Sequence, residues 1–555
     1  MYMNTKSETK ICWNCNQEFT IDSGDFDLYE KVGLKIPKDC FECRVKRHFA
    51  FCLFGKFRKG KSDLSGEHLI TILPEKSRFP IYTSHEWWGD GWHPMDSGQD
   101  YDPHRSFFDQ LKELQEKIPR PHQTGENNTN CDWCDDVWES KNCYLCRSLL
   151  KCENSSYIYR TIGTKDSFDI TYSFNLQNSY DCLFCHDSFN LNFSENSRDS
   201  IESYFLFDCR NCQNCFMCWN LRNKKYCIRN TQYSKDDYEN EIKKIKFDSY
   251  KNIENLKREF GKILQNEAVH RENFNLRTTN STGNYLTDCD KCVNCFSWEK
   301  SQNCRNHIRG TDSKDSIDQT FSWQNEVSGN NSGVFGGFQI KHSSWSDGRY
   351  SEYLDNCVEV EYCFGCVGIR NKKYCILNKQ YTKEEYEKLK AQIVSDMEKK
   401  GEYGEFLPYS MGTGYYNLSN GMIYFPNTSK EEILRNGGYW LDQDLSLPDG
   451  MSTSDLPDSI TDTKEDISLQ ALICPETGYR FNISPDEYKF HKRKKFALPR
   501  LHFDLRIMKR IKKMSILRSY PYKCFYCQKD IMAYYPPEWD YQKIACEECY
   551  KQNIA

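Results

Sequence analysis

The chain has 555 residues, including 30 cysteines, and a formal net charge of −5. Hydrophobic residues make up only 38%, but 36 Tyr, 33 Phe and 12 Trp supply large surfaces that a folded core can bury, so disorder throughout is not expected. No stretch approaches about 18 consecutive apolar residues, and the start MYMNTKSETK lacks the apolar core of a secretory signal. These features argue against a membrane protein and a small secreted disulfide scaffold, and they predict a cytoplasmic protein.

The two ends of the chain carry one repeated module. Residues 12–87 align with residues 474–549 at a constant offset of 462. Identical pairs include Cys12 and Cys474, Phe19 and Phe481, Pro37 and Pro499, Arg44 and Arg506, Lys61 and Lys523, and Pro74 and Pro536. A register held over 76 positions without a gap predicts a duplicated module.

Each copy of the module has one complete set of four cysteines, at positions where the other copy has an incomplete set or none. The first copy has Cys12, Cys15, Cys40 and Cys43, where the second has Cys474, Thr477, His502 and Leu505. The second copy has Cys524, Cys527, Cys546 and Cys549, where the first has Ser62, Ser65, Ser84 and Trp87. Because an incomplete set of thiolates binds metal poorly, joint loss of three or four cysteines is typical of metal ligands rather than of core cysteines. Each complete set therefore predicts one structural Zn²⁺ in a zinc-ribbon or treble-clef module.

Positive charge is concentrated in the same modules. Residues 31–61 carry a local charge of +8 and residues 489–523 one of +12, so the rest of the chain carries −25. Basic modules beside an acidic body suggest binding to RNA or DNA. Interspersed aromatic residues could stack on bases: Phe49, Phe51, Phe54, Phe57, Phe490, Phe496, Phe503, Tyr520 and Tyr522. The alternative is a solvated charged face with these rings in the module core.

The middle of the chain is a second repeat. The segment 215–245 recurs at 363–393 with an offset of 148, and KDSFD at 165–169 matches KDSID at 314–318 with an offset of 149. We expect two tandem units, 131–278 and 279–430, each ending in a helix. The sequences Ser234-x-x-Asp237 and Thr382-x-x-Glu385 are typical capping boxes for those helices.

Turn-forming residues followed by small ones recur every twelve residues before the helix of the first unit. Examples are Asn142-Cys143, Asn154-Ser155, Asp166-Ser167 and Asn178-Ser179. Such stepping predicts a β-solenoid whose small side chains stack inside, and buried cysteine suits that position. A series of β-hairpins is the competing structure.

Metal binding by the central cysteines is less clear. The run Cys209, Cys212, Cys215 and Cys218 resembles a ferredoxin motif, but the second unit has Val360 in place of the second ligand. An iron–sulfur cluster is therefore not expected, while a further zinc site and buried packing both stay open. The knuckle-like pairs of Cys131 with Cys134 and Cys143 with Cys146 are undecided.

Catalytic patterns are weak. Asp166 with Asp169, and Asp315 with Asp318, could be paired carboxylates for sugar chemistry, although Asp before Ser usually caps a turn. The segment from His85 to His93 lacks the His-Glu-x-x-His spacing, and no nucleotide-binding loop or nucleophile elbow is present. An enzyme is not expected.

The whole chain resembles the cysteine-rich zinc-ribbon proteins of reduced-genome (candidate-phylum) bacteria. The resemblance rests on the Cys12–Cys43 module, the RNKKYCI segments at 222–228 and 370–376, and the closing FNISPDEYKF…LPRLH…CEECY stretch. It implies zinc binding and assigns no activity.

These observations predict a multidomain, β-rich protein with α appendages, in which duplicated zinc modules flank a duplicated β-solenoid-like body. The expected segments are a first module (1–92), a connector (93–130), two cysteine-rich units (131–278 and 279–430), an acidic linker (431–473) and a second module (474–555). The favoured function is a non-enzymatic zinc protein that binds nucleic acid. A scaffold docking acidic protein partners is the alternative, and a carbohydrate-acting solenoid enzyme is third.

Overall fold

The computed structural model describes residues 7–442, 449–514 and 517–554. Within these ranges the chain forms 34 strands and twelve α-helices, so the molecule is β-rich with helical additions, as predicted. None of the helices in the described part combines the length and the apolar character that crossing a membrane requires.

The first 123 residues contain two antiparallel hairpins, each followed by helices. The elements are β1 (Glu8–Ile11), β2 (Glu18–Ile21), α1 (Ser23–Val32), α2 (Phe41–Phe49), β3 (Arg58–Lys61), β4 (His68–Thr71), β5 (Ile81–Tyr82), α3 (Ser84–Trp88), α4 (Phe107–Lys117) and β6 (Arg120–Pro121).

A long, mainly parallel sheet follows. Its strands are β7 (Cys134–Trp138), β8 (Cys146–Leu150), β9 (Tyr159–Ile162), β10 (Phe168–Thr171), β11 (Phe174–Gln177), β12 (Tyr180–Leu183), β13 (His186–Asn192), β14 (Ile201–Phe207), β15 (Gln213–Trp219), β16 (Lys225–Ile228) and β17 (Thr231–Gln232). Helices α5 (Lys235–Lys243) and α6 (Tyr250–Asn266) and strand β18 (His270–Arg271) come next.

A second, mainly parallel sheet of ten strands comes next. Its strands are β19 (Gly283–Thr287), β20 (Cys295–Glu299), β21 (Gln302–Thr311), β22 (Lys314–Trp323), β23 (Gly329–Ser332), β24 (Phe338–Lys341), β25 (Gly348–Glu352), β26 (Val360–Phe364), β27 (Lys373–Ile376) and β28 (Lys379–Gln380). Helices α7 (Lys383–Lys399), α8 (Asn420–Tyr424) and α9 (Lys430–Arg435) follow.

Several elements in the last part of the chain have counterparts among the first 88 residues. It contains β29 (Met451–Ser452), β30 (Leu472–Ile473), β31 (Arg480–Phe481), α10 (Pro485–Lys494), α11 (Phe503–Ile511), β32 (Tyr520–Lys523), β33 (Asp530–Ala533), β34 (Ile544–Ala545) and α12 (Glu547–Asn553). An offset of 462 carries α1, α2, β3 and β4 onto α10, α11, β32 and β33.

Parallel strands in both sheets pair with residues about twelve positions further along the chain. Cys134 pairs with Cys146 in the first sheet, and Gln302 with Lys314 in the second. The step is eleven residues at Phe338, which pairs with Arg349. Each sheet ends in an antiparallel pair, β16 with β17 and β27 with β28.

A three-residue period underlies the twelve-residue step. From Asp136 to Arg229 every third residue has a positive φ, as does every third residue from Tyr285 to Trp345. The residue after nearly all of these turns inward: Cys143, Cys146 and Cys152, for example, are all buried, whereas Lys224 is exposed. Asn and Asp tolerate the left-handed conformation best, which explains their frequency at these positions.

The chain divides into two compact units, each made of two separate stretches. The first comprises 1–123 and 273–442, and the second comprises 124–272 and 443–555. The N-terminal module therefore belongs with the second parallel sheet, and the C-terminal module with the first. The segments predicted from the sequence are consecutive, so this pairing of distant segments was not predicted.

Both predicted spacers are structured where they are described. In the connector 93–130, Phe107, Leu111 and Leu114 of α4 are buried in the core of the first unit. In the acidic linker 431–473, Leu456 and Ile460 pack in one core with the C-terminal module. The acidic linker is therefore structured over 449–473, because its apolar residues have a core to join; residues 443–448 lie outside the described ranges.

Candidate metal centres

Two groups of four thiols are the candidate metal centres. We call Cys12, Cys15, Cys40 and Cys43 the N-terminal cluster, and Cys524, Cys527, Cys546 and Cys549 the C-terminal cluster. Within each cluster all four sulfur atoms lie within 4.8 Å of one another. In the described residues these are the only groups of three or more Cys, His, Asp or Glu ligand atoms that lie so close. The structure thus brings together all eight predicted ligands, in the predicted sets.

In the N-terminal cluster, a turn after β1 supplies two thiols and the start of α2 supplies the other two. The N–H of Cys12 donates to the Gln17 carbonyl at 2.9 Å, and the N–H of Asn16, with φ 59°, donates to the Cys12 carbonyl at 2.9 Å. Cys40 is the N-cap of α2 and its N–H donates to the Cys12 sulfur at 3.2 Å. These bonds aim both cysteine pairs at one point.

The C-terminal cluster repeats this geometry. The N–H of Cys524 donates to the Lys529 carbonyl at 2.9 Å, and Gln528, with φ 59°, donates to the Cys524 carbonyl at 3.0 Å. Cys546 is the N-cap of α12 and donates its N–H to the Cys524 sulfur at 3.3 Å. In both clusters a hairpin turn supplies one pair of thiols and a helix N-terminus supplies the other.

The sulfur spacing fits a tetrahedral ion. The Cys15 and Cys40 sulfurs are 3.8 Å apart, and those of Cys527 and Cys546 are 3.9 Å apart. Four sulfurs about 2.3 Å from zinc lie about 3.8 Å apart in a tetrahedron. Four thiolates fill every position of such a site, so it suits a structural ion rather than a catalytic one.

One cysteine in each cluster has a lowered pKa, whereas the pKa values of Cys15, Cys43, Cys546 and Cys549 are raised. A hydrogen bond from the Cys43 thiol lowers the pKa of Cys40 to about 5, despite partial burial, and raises the pKa of Cys43. Burial raises the pKa of Cys524, but backbone hydrogen bonds from Cys527 and Cys546 outweigh it and lower this pKa to about 6. Thiolate is the metal-binding form, and a helix N-terminus also stabilises it.

In the first module, the positions that align with the C-terminal cluster are Ser62, Ser65, Ser84 and Trp87, and we call such a set without four cysteines an abandoned set. Hydrogen bonds hold this region together. The Ser62 hydroxyl accepts from the Leu64 N–H at 3.1 Å, as a knuckle sulfur would, and donates to the Glu86 carboxylate at 2.5 Å. Burial raises the pKa of Glu86, but hydrogen bonds from Ser62, Ser65 and Thr83 lower it to about 2. The carboxylate therefore holds the turn and α3 together without a metal. These hydrogen bonds also give Glu86, which lies in the stretch from His85 to His93, a structural role.

In the C-terminal module, the positions that align with the N-terminal cluster keep the turn, but Cys474 is the one cysteine among them. The N–H of Cys474 donates to the Tyr479 carbonyl at 2.9 Å, and that of Gly478 to the Cys474 carbonyl at 2.9 Å. His502 is the N-cap of α11, and its Nδ1 accepts from the Asp504 N–H at 3.2 Å. The histidine is used as a helix cap.

The central cysteines pack inside the parallel sheets. All twenty between Cys131 and Cys375 are buried, and all but Cys134 directly follow a residue with positive φ. Their thiols donate to backbone carbonyls, as Cys146 does to Tyr144 at 3.2 Å. Serine takes the same place: the Ser155 hydroxyl donates to the Glu153 carbonyl at 2.8 Å. The two pairs with knuckle-like spacing, Cys131 with Cys134 and Cys143 with Cys146, thus lie in the interior of the first sheet.

One feature of the clusters was missed at the sequence level: each carries an exposed aromatic residue paired with a lysine. Trp13, between Cys12 and Cys15, is 74% exposed, and the Lys38 ammonium lies 4.9 Å from its ring centroid. Phe525, between Cys524 and Cys527, is 43% exposed with Lys543 at 5.9 Å. The signal was available, because the two abandoned turns have no aromatic residue between their first two positions.

Much of the basic charge is used within each unit. In the first unit, six of the ten cations in 31–61 form ion pairs: Lys31, Lys35, Lys38, Arg44, Lys46 and Arg47. In the second, Arg506 and Arg510 both bind the buried Asp169. The charge runs therefore bind acidic residues of the same unit, both on the parallel sheet and on neighbouring helices and loops, which weakens them as a sign of a polyanion.

Four of the rings expected to stack on bases are core residues. Phe49 and Phe51 are buried in the first unit, and Phe490 and Phe496 in the second. Phe490, for example, packs 4.4 Å from Phe168 of the parallel sheet. The expectation of base stacking is wrong for these four because docking on the sheet covers them.

The proposed sugar-chemistry carboxylates are structural anchors. Asp318 binds the Arg44 guanidinium at 2.7 Å and the Tyr29 hydroxyl at 2.6 Å. Asp169 plays the same part for Arg506 and Arg510. Of the outer pair, Asp166 accepts from the Asn154 amide at 3.0 Å and Asp315 from Lys31 at 2.9 Å.

Comparison with known proteins adds no relative. No protein-family model matches the chain, and no curated protein is significantly similar to it. The resemblance to cysteine-rich zinc-ribbon proteins therefore stays a prediction.

Proposed function

We propose that each cluster holds one structural Zn²⁺ and that the zinc-supported turns present Trp13 and Phe525 to single-stranded nucleic acid. The observation that carries the proposal is the exposed ring with its lysine, found at both complete clusters and at neither abandoned one. An exposed aromatic ring can stack on a base at about 1–3 kcal/mol per base, and an adjacent ammonium can contact the phosphate.

Three further parts of the interpretation belong to this proposal. The parallel pairing and the inward turn of every third residue support a β-solenoid for each sheet. The offsets of 462, 148 and 149, which match element bounds as well as residues, support duplication of module and body. A cytoplasmic, non-enzymatic role agrees with reduced thiols and anchored carboxylates, since cytosolic cysteines are usually kept reduced.

Zinc is tested by metal analysis of the purified protein. We expect about two zinc ions per chain. Cys40→Ser should remove one ion and Cys524→Ser the other, whereas Cys474→Ser, at the abandoned position, should remove none. A metal content that is unchanged in either cluster variant would contradict the assignment for that cluster.

Nucleic-acid binding is tested with a fluorescent single-stranded RNA at low and high salt. Binding should weaken steeply as salt rises, because lysine–phosphate contacts release counterions. Trp13→Ala and Phe525→Ala should each weaken binding about 5- to 100-fold. Leu64→Ala is the matched control, since Leu64 is 44% exposed on the metal-free turn of the first module. Equal effects of all three variants would refute base stacking.

A second candidate is the protein scaffold that docks acidic partners. Its support is the chemistry within each unit, where basic helices bind acidic sheet faces, and the cavity described next. No binding of RNA at low salt would make this the leading function.

A further inference from the structure

The second unit contains a cavity of about 610 Å³ between α6, α11, the segment 497–501 and the parallel sheet. Phe193, Phe205 and Phe260 give it an apolar floor. Eight lysine and arginine residues line it, against four acidic ones. An apolar floor with a cationic wall suits an anionic group attached to an apolar one.

The equivalent place in the first unit is closed. The repeat offset carries Pro37, Lys38 and Arg47 onto Pro499, Arg500 and Lys509 of the cavity wall. The same three residues of the first unit line a remnant of about 10 Å³, together with Gly404 and Glu405. The two units therefore share one pocket position, which is open in one and occupied in the other.

A segment of the chain itself fills the first unit's pocket. The Glu405 carboxylate lies 3.3 Å from Lys38 Nζ and 3.4 Å from Arg47 Nη2. The next residue, Phe406, is buried with its ring centroid 4.3 Å from that of His48 and 5.1 Å from that of Phe51. The occupant is thus an acidic residue followed by an aromatic one.

The two cations that bind Glu405 in the first unit have counterparts in the second unit. Arg500, at the position of Lys38, donates to the Leu456 carbonyl at 3.0 Å and lies 4.3 Å from the Tyr250 ring centroid. Its hydrogen bonds in the described residues go to the carbonyls of Leu456 and, at 3.3 Å, of Pro457. Asp458 is the acidic residue that its charge affects: a hydrogen bond from Ser249 lowers the pKa of that carboxyl, and the Arg500 charge lowers it further. Lys509, at the position of Arg47, pairs with Glu476, whose side chain is 48% exposed. Both cations can therefore reach a carboxylate brought from outside.

The apolar side is also preserved. In the first unit, His342 and Tyr353 stack with centroids 4.8 Å apart, and the Tyr353 hydroxyl accepts from the Gly404 N–H at 2.9 Å. In the second, Phe193 and Phe205 stack at 4.8 Å and face the cavity. These rings offer a surface for the aromatic residue.

We propose that this cavity is a docking site for an acidic–aromatic peptide segment, Glu-Phe or a close equivalent, of a partner protein. The site depends neither on the zinc ions nor on the exposed rings of the nucleic-acid proposal. It gives the scaffold function a specific recognition element.

The test uses the chain's own pocket-filling sequence as the probe. A fluorescein-labelled peptide YGEFLP, the sequence of residues 403–408, is titrated with the full-length zinc-loaded protein and followed by anisotropy. We expect saturable binding of one peptide per chain, since the first unit's pocket is already filled. Peptides YGQFLP and YGEALP should bind at least about tenfold more weakly. No saturable binding below about 1 mM peptide, or equal affinity for the three peptides, would overturn the proposal.

Variants of the protein locate the site. Gly261 lies in α6 and lines the cavity, and a side chain there meets no atom within 4 Å. Gly261→Leu should therefore fold normally, fill the cavity and abolish peptide binding. Arg500→Gln should weaken binding at least about tenfold, whereas Lys489→Gln, an exposed lysine outside the cavity, should not change it. Unchanged binding to the Gly261→Leu variant counts against the assignment. AMP, which joins an anionic group to an aromatic ring, serves as a competitor, and displacement of the peptide by AMP at equal concentration also counts against a peptide site.

Discussion

Cysteine is used in two ways in this molecule, and the spacing Cys-x-x-Cys is common to both. In the clusters, one left-handed residue just after the second cysteine closes a turn, and a helix N-terminus brings the other pair to it. In the parallel sheets, a left-handed residue precedes every cysteine except Cys134, and the thiols stack along the sheet. The difference teaches that backbone conformation, rather than spacing, decides whether thiols converge on an ion or pack as small core side chains.

Removing metal should separate the two regions most strongly. Structural zinc held by four thiolates contributes about 10 kcal/mol or more to the folding of small domains. We expect a strong chelator to release the amides of the two cluster turns and of α12 to hydrogen exchange, while the parallel sheets stay protected. Exchange measured by mass spectrometry, before and after chelation, checks this. Equal loss of protection in the sheets would show that the regions are not energetically distinct.

The contact between module and sheet should be the next most sensitive. Asp318→Asn leaves the buried Arg44 guanidinium without its anion, which should cost about 3–5 kcal/mol in the free energy of unfolding. Asp315→Asn is the control, because its partner Lys31 is 49% exposed and such pairs contribute about 1 kcal/mol or less. Urea unfolding measures both, and similar losses would contradict the anchoring role of Asp318.

Acid should act on the sheet interior through a buried histidine. His307 is buried beside Trp298, and burial lowers its pKa to about 3. An unfolded histidine takes a proton near pH 6.5, so stability should fall as the pH drops from about 6.5 towards 3, by about 1.4 kcal/mol per pH unit for this group. His307→Gln should show a shallower decline between pH 6 and 5 in urea unfolding. Any acid release of metal from the clusters affects both proteins alike, so parallel declines would refute the assignment.

The smallest effect is expected for interior cysteines. The Cys215 thiol donates to the Gln213 carbonyl at 3.5 Å, and Ser203 makes the same bond to Ile201 at 2.8 Å one coil earlier. Cys215→Ser should therefore cost only about 1 kcal/mol, without loss of zinc. Cys524→Ser, by contrast, should lose an ion. A large loss of stability or metal in Cys215→Ser would blur the distinction between the two uses of cysteine.

The clusters could be predicted because the repeat supplies its own control. Ser62 and Trp87 stand where Cys524 and Cys549 stand, so each copy shows which positions change together. The twelve-residue step was also visible in the Asn and Asp positions. The three-residue period was not recognised, although Cys209, Cys212, Cys215 and Cys218 follow it, because the same spacing is typical of metal knuckles.

Other features depend on contacts between distant segments. In the sequence, Phe490 and Phe496 lie among lysines and are therefore expected on the surface. Only the packing of α10 against the parallel sheet shows that they are buried. The same holds for Arg44 and Asp318, which are 274 residues apart. No local sequence pattern predicts that the N-terminal module packs with the second sheet, or that the segment at Glu405 fills a pocket.

The exchanged composition of the two units has a consequence for synthesis of the chain. Arg44 emerges from the ribosome 274 residues before Asp318, an interval of roughly 15–55 s at 5–20 residues per second. Asp169, which occupies the repeat position of Asp318, is translated first. The first parallel sheet is therefore synthesised while the N-terminal module still waits for the second sheet, to which it belongs. The two sheets offer that module different partners: His48 hydrogen-bonds to Asn330 at 3.0 Å, and the aligned residue of the first sheet is Asp181.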